Sequence, residues 1–360
     1  MAQSYAKTHR VLSSTGVGAA PSVRTPAVSD GRMLRLHHAR RMTWMDHPPI
    51  SAVFRRREHA EVNERRLRRI VDSGEAVRIA PGSYAWRDAW DAADPLRKHA
   101  QRVWEAAARL QPGAVFVRHA AAALWSIDTL GPWPGRVDVA VDDSGGGRST
   151  GLIVRHSRRV PVDGIVAWGD HFVTTPAQTV VDIAASHPFT IGVAAADQAL
   201  WERRIGGALL SADELGDAAH AFIGRGNVRV DRVARFADAR AANVRESQSR
   251  VLIHTLGFPA PELQQRFDLP GGGVAYSDFW WPKWRVIGEL DGLTKYLDER
   301  MRAGRSPSQV LSDEKDREDE LRRLVHRVAR WRVSALDSPR ALWDILTAAG
   351  LPTSMRRPGC

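Results

Sequence analysis

The chain has 360 residues, 43% hydrophobic and 26% charged, with 52 Lys and Arg against 41 Asp and Glu and one cysteine, Cys360. That length predicts two or three domains, each with its own core, and the single cysteine excludes a disulfide framework within the chain and a Cys-rich zinc site. No apolar run approaches the roughly 18 residues of a membrane helix and no apolar block with a small-residue cleavage site opens the chain, so the expectation is a cytoplasmic protein that neither enters nor crosses a membrane.

The net charge of +11 invites a nucleic-acid reading, because a protein that neutralises phosphates releases condensed counterions. The first sixty residues hold ten Lys and Arg against three acids, so the rest is only mildly basic and net charge alone carries little weight. Residues 1–46 are rich in Ser, Ala, Arg and His without an apolar period. They read as disordered or as a start placed too early, with Met33, Met42 or Met45 as the alternative beginning, and their composition loosely matches a transit peptide.

Residues 47–90 change texture. Ile50, Val53 and Phe54 read as a short helix, and Asn63 as the cap of a second helix through Leu67, Ile70 and Val71 that Gly74 ends. AVRIA and SYAWR alternate around a Pro81-Gly82 turn, a hairpin signal. Helix, turn, helix, hairpin is the order of a winged helix-turn-helix. Arg65, Arg66, Arg68 and Arg69 on the second helix suit phosphates or guanine edges in a major groove. The same residues also read as a solvated arginine-rich face that Glu61, Glu64, Asp72 and Glu75 dilute.

Residues 91–240 alternate helices and short strands, a middle α/β domain. PLRKHAQRVWEAAARL is an amphipathic helix, GAVFV a strand, RHAAAALWSI a small-residue helix, and RVDVAV, LIVRH and IVAW further strands. Thr175 with Gln178 and Ser211 with Glu214 have capping-box spacing. VDDSGGGRST lacks the Gly-Lys-Ser/Thr ending of a phosphate loop, and His119, His156 and His171 lack metal spacing.

Residues 241–350 read as helix (244–256), strand (263–269), Gly-rich turn, strand (274–281), strand (284–290), loop, charged helix (312–325), strand (326–333) and helix (338–349). The whole is an α/β, or α+β, multidomain chain ending in an αβββαβ core. In DFWWPKWRVIGELDGLTKY, Asp278 lies on one strand, while Glu289 and Asp291 lie two apart on the next and project to one face. Crowded carboxylates repel, and a hard divalent cation with oxygen ligands relieves that cost, magnesium being the natural choice and manganese the alternative. Such a cation polarises a phosphodiester and activates water, Lys295 is placed to meet developing negative charge, and Glu246 approaches from the first helix. Lys315 and Arg317 read as a solvated helix face or as flanking phosphate contacts. The competing readings are a strand rim acidic only for solubility, and an interaction module anchored by Trp280, Trp281 and Trp284.

The segments ESQSR (246–250), LGFPAPELQQ (256–265), SDFWWP (277–282), VIGELDGLTKY (286–296), EKDREDELRR (314–323) and RVARWRV (327–333) together resemble the PD-(D/E)XK restriction-endonuclease-like superfamily, and within it the very-short-patch-repair endonuclease domain. The resemblance implies a magnesium-dependent DNA endonuclease in which Asp278 and Glu289 match the metal carboxylates and Glu246 the helix glutamate. The superfamily pattern has Lys two residues after the second carboxylate, where this chain has Asp291, and Lys295 is the candidate substitute. LRRIVDSGEAVRIAPGSYAW (67–86), VRHAAAALWSI (117–127) and VTTPAQTVVDIAA (173–185) resemble AbiEi-type antitoxins of abortive-infection toxin-antitoxin systems. That implies a DNA-binding winged helix that autoregulates an operon, with a cognate toxin as partner. The expectation for the whole chain is a DNA-binding protein with a nuclease-like last domain in phage defence or DNA processing, and its rival is a non-enzymatic regulator that keeps the nuclease fold as a scaffold.

Overall fold

The computed structural model describes residues 44–56, 64–141, 149, 151–157, 160–269, 273–291 and 326–359, all within one unit, His37–Cys360. The described residues form a mixed α/β structure of ten α-helices and three sheets. None of these helices is long and apolar enough to cross a membrane.

The first sheet has the order β1-β3-β2 and is built from β1 (Val53–Arg55), β2 (Ala76–Ala80) and β3 (Ser83–Trp86), with α1 (Glu64–Asp72) between β1 and β2. The expected hairpin is present around the Pro81-Gly82 turn, where Gly82 takes φ 72°. The short helix expected at Ile50, Val53 and Phe54 is instead an edge strand. Val53 pairs with Ala85 and Phe54 with Tyr84, so Val53 turns into the small core beside Ile50, Ile79 and Trp90, while Phe54 stacks 5.7 Å from Tyr84. A β-branched and an aromatic residue on opposite faces satisfy a strand, and three residues are too few for a period to separate it from a helix. Asn63, expected as the cap of α1, lies outside the described residues. After β3 comes α2 (Arg87–Ala92).

The small sheet is tied to the next layer by a buried carboxylate. Glu105, on α3 (Pro95–Ala107), accepts hydrogen bonds from Arg55 Nε (3.0 Å) and Nη2 (2.9 Å) and from Ser83 Oγ (2.6 Å). Burial works against its charge, but the hydrogen bonds from Arg55 and Ser83 outweigh it and hold the carboxyl below its usual range.

The middle sheet runs β6-β5-β4-β8-β7, from β4 (Val115–Phe116), β5 (Val137–Val141), β6 (Ile153–Ser157), β7 (Ile165–Trp168) and β8 (His171–Thr174). Its helices are α3, α4 (Arg118–Leu124), α5 (Pro176–Ser186), α6 (Phe189–Leu200), α7 (Ala212–Ala221) and α8 (Asn227–Phe236). The alanines of α4 and α6 allow close packing, and Ala120, Ala121, Ala122, Val193, Ala195 and Ala196 are wholly buried in one apolar core with Phe116, Ile127 and Ile183. The Ser211 and Glu214 capping box forms in full. Thr175 caps α5, but Gln178 donates to Asp182 (2.6 Å) instead of reaching back, so only half of that box exists. Residues 142–148 and 150 of the VDDSGGGRST segment lie outside the described residues.

The last sheet, β12-β11-β10-β9, joins β9 (Glu262–Asp268), β10 (Val274–Trp281), β11 (Val286–Asp291) and β12 (Arg327–Arg332), with α9 (Val244–Thr255) before it and α10 (Pro339–Ala348) after it. The three strands β9, β10 and β11 pair antiparallel, and β12 joins β11 in parallel. These elements start and stop within two residues of the positions expected from the sequence; the helix expected at 312–325 lies outside the described residues. Phe279, Trp281, Trp331, Ile253 and Leu342 pack one face, and Ala275, Ile287 and Trp280 the other. Trp281 is fully buried and donates to Pro259 O (2.8 Å), which makes it core and not an interface anchor. Gly288 is required at its place, since a Cβ there would stand 2.7 Å from Trp331 Cη2 and 3.0 Å from Phe279 Cβ.

α9 belongs to two cores. Val251 packs into the middle core and Ile253 into the last. Between them Arg250 Nη2 donates to both oxygens of Asp197 on α6 (3.2 and 3.1 Å) and to Phe236 O (2.9 Å), while Asp238 N donates to Asp197 Oδ1 (2.8 Å).

Candidate active site

The last sheet opens where its carboxylates stand. β10 and β11 pair from Trp281 with Val286 to Phe279 with Gly288 and then stop, so one register step further places Asp278 opposite Glu289. The rung expected there is replaced by a side chain: Asp278 Oδ2 accepts from the backbone N–H of Leu290 at 2.9 Å. Asp278 is 7% exposed, and Glu289 is half buried.

β11 persists through Asp291, so Glu289 and Asp291 share one face with Ile287, while Gly288 and Leu290 turn to the opposite side. Arg330 Nε approaches Asp291 Oδ1 at 3.7 Å, and both side chains are substantially exposed, a pair worth at most a fraction of a kcal/mol to about 1 kcal/mol.

Glu246 arrives from the first turn of α9 and is 3% exposed. Asn243 caps this helix by accepting from the N–H groups of Arg245 and Glu246. Glu246 reaches back, taking hydrogen bonds from Asn243 Nδ2 (2.6 Å) and Ala242 N (2.9 Å). Its carboxylate is thereby fixed toward the sheet.

Gln264, a residue that no motif in the sequence singles out, joins the two carboxylates. Its Nε2 lies 3.1 Å from Glu246 Oε2 and 3.5 Å from Asp278 Oδ1. With a carboxylate oxygen on each side, only the amide NH2 can face them. Gln264 sits inside β9 with φ 52°, left-handed backbone in a non-glycine residue. The β9 and β10 ladder keeps one register from Val274 to Trp280 but lacks the rung at Gln264 and Asp278. The local break turns the Gln264 amide between Glu246 and Asp278. No sequence signal marks a left-handed glutamine, because its conformation is imposed by its neighbours and not by its own propensity.

Glu246 and Asp278 are thus bracketed by one amide, and Glu289 follows from the register. Lys295, Lys315 and Arg317 lie outside the described residues. The ligand atoms at the site are carboxylate oxygens without sulfur or imidazole, a set that fits a hard divalent cation. Among the described residues no group of three or more His, Cys, Asp or Glu is already gathered around one point, and the amide of Gln264 lies where Glu246 and Asp278 would share a cation.

On the first sheet's helix, Leu67 is the buried residue, and the helical period sets Arg65, Arg66, Arg68 and Arg69 on the half turned away from it. All four are exposed. Arg68 pairs with Glu64 one turn earlier (3.0 Å).

No model of a known protein family matches the chain. It is similar to two uncharacterized proteins of Mycobacterium tuberculosis, MT2308 of strain CDC 1551 / Oshkosh and Rv2248 of strain ATCC 25618 / H37Rv, each 32% identical over 121 residues. The similarity covers 33% of this chain and 43% of each relative, so the chain spans less than half the length of the curated relatives it matches.

Proposed function

We propose that this is a cytoplasmic DNA-binding protein whose last domain is a magnesium-dependent endodeoxyribonuclease of the restriction-endonuclease-like kind, acting in phage defence or DNA processing. The observation that carries the reading is the end of the β10 and β11 ladder at Asp278 and Glu289, with Glu246 clasped to Asp278 through Gln264. Asp278 and Glu289 would hold Mg2+ or Mn2+, with Glu246 beside them. The ion, when bound, polarises the scissile phosphodiester and lowers the pKa of an attacking water. Glu246 and Asp278 orient from buried positions, so they lose little freedom on binding. Asp291 stands one step along the same face, and Lys295 is assigned to the charge that develops on the phosphate.

Cleavage of supercoiled and linear DNA, with magnesium or manganese, tests this by comparing the wild type with Glu289→Ala. Metal-dependent cutting by the wild type that the substitution abolishes is the expected result. DNA binding without cutting by either protein would overturn the nuclease assignment and favour a second reading. That reading, an AbiEi-like antitoxin and regulator with a cognate toxin, draws support from the first sheet: the β1-α1-β2-β3 order, the β1-β3-β2 pairing and the outward arginines suit a winged helix set in a DNA groove.

A further inference from the structure

The two buried carboxylates of the candidate site are each anchored by contacts that owe nothing to Gln264. Asp278 is held at Oδ2 by the backbone N–H of Leu290. Glu246 is held at Oε1 by the side-chain amide of Asn243 and at Oε2 by the N–H of Ala242. Two acidic side chains fixed beside each other call for positive charge between them.

What the fold sets there is a neutral group. The Gln264 NH2 lies 3.1 Å from Glu246 Oε2 and 3.5 Å from Asp278 Oδ1, one hydrogen for each oxygen, so it offers partial positive charge in the place of a full one. Its hold is one-sided. The amide oxygen of Gln264 accepts no hydrogen bond among the described residues, and the residue is half buried, so the side chain can turn toward solvent once its NH2 is released. A hard divalent cation shared by the same two oxygens lies within about 2.6 Å of each, in the space that the NH2 hydrogens now fill. The two cannot be there together, because both bring positive charge to the same lone pairs.

We propose that Gln264 is a built-in competitor of the metal ion: its amide holds Glu246 and Asp278 in the metal-free protein and swings away before a divalent cation binds between them. The inference rests on the reading of this site as a metal centre. Its consequence is thermodynamic. Whatever the amide gives the metal-free fold is subtracted from the affinity for the ion, so the site binds more weakly than its carboxylates alone would bind. Removing the amide leaves the anchors from Leu290, Asn243 and Ala242 in place and takes away only the competitor.

The test is calorimetric titration of the full chain with manganese chloride, for the wild type, Gln264→Ala and Gln264→Gly. Glycine accepts the left-handed backbone of residue 264 without strain, so the second variant keeps the fold if the first does not. The expected result is saturable binding to all three, roughly tenfold tighter in both variants than in the wild type. A residue that merely supported the fold would weaken the site when lost, so a gain separates competition from support. Equal affinity would show that ion and amide do not meet, and weaker binding in the variants would make the amide oxygen a ligand; either overturns the competition and leaves the metal centre standing. Binding to none of the proteins would overturn the metal centre and the competition with it. Adding Asp278→Ala to Gln264→Gly should abolish the gain, and a gain that survives it belongs to another site and overturns the role of Gln264.

Discussion

Gln264 concentrates the tension of the candidate active site in one residue. Its left-handed backbone costs about 1–2 kcal/mol in any residue with a Cβ, and that cost is set against the hydrogen bonds it gives Glu246 and Asp278. A buried carboxylate that loses a donor costs about 1–3 kcal/mol. Gln264→Ala keeps the strain and loses the bonds, so its unfolding free energy should fall by about 2 kcal/mol in metal-free buffer. Gln264→Gly loses the same bonds but relieves the backbone, so it should be about 1 kcal/mol more stable than the alanine variant. Urea denaturation of the three proteins checks both numbers. Equal stability of the alanine and glycine variants would refute the left-handed backbone, and no loss in either would refute the clasp.

At the scale of the element, the DNA contact proposed for α1 can be tested by itself. If its arginines meet phosphates, each arginine withdrawn from a phosphate lowers the slope of log affinity against log salt by about 0.9. Replacing Arg65, Arg66, Arg68 and Arg69 together by Gln should flatten that slope by up to about 3 to 4 in anisotropy titrations of duplex DNA across potassium chloride concentrations. An unchanged slope would return the helix to a solvated face. What the sequence makes legible also sorts by element. In the last domain α9, β9, β10, β11, β12 and α10 are long enough for their periods to declare them. β1 is not legible, because Val53 and Phe54 become a strand only when Ala85 and Tyr84 arrive from thirty residues away. At the site, the carboxylates can be read from their spacing, whereas Gln264 cannot, since nothing in PELQQRF tells which glutamine turns left-handed. The histidines of the middle domain are equally opaque: His119 and His187 meet only through tertiary packing.

For the molecule as a whole, buried ionisable groups set the response to acid. His99 and His119 have folded pKa values of about 4, below the unfolded value of 6.5, so the unfolded chain binds more protons between those limits. Their contribution to stability is present above pH 6.5 and is lost as pH falls toward 4. Asp197 acts in the opposite sense. Burial raises it from 3.8 to about 6 against the pull of Arg250, so its contribution is present below 3.8 and lost as pH rises through 6. At about 1.4 kcal/mol per pKa unit, the two histidines outweigh the single aspartate, and the melting temperature should fall between pH 7 and pH 5. A Tm by scanning calorimetry that is flat or rising over that interval would show that these rings are protonated in the fold.

The ion pair between Arg250 and Asp197 bears on how this chain can be divided. A helix whose successive turns serve two cores is a shared wall, and such a wall cannot be moved with one room. A fragment beginning at 241 would carry Arg250 without its buried counterion and Val251 without its pocket, so the carboxylate-bearing domain is no cassette to be grafted elsewhere. Whatever repositions α6 is felt at Glu246, one turn before Arg250, and the middle domain is thereby mechanically in series with the chemistry assigned to the last sheet.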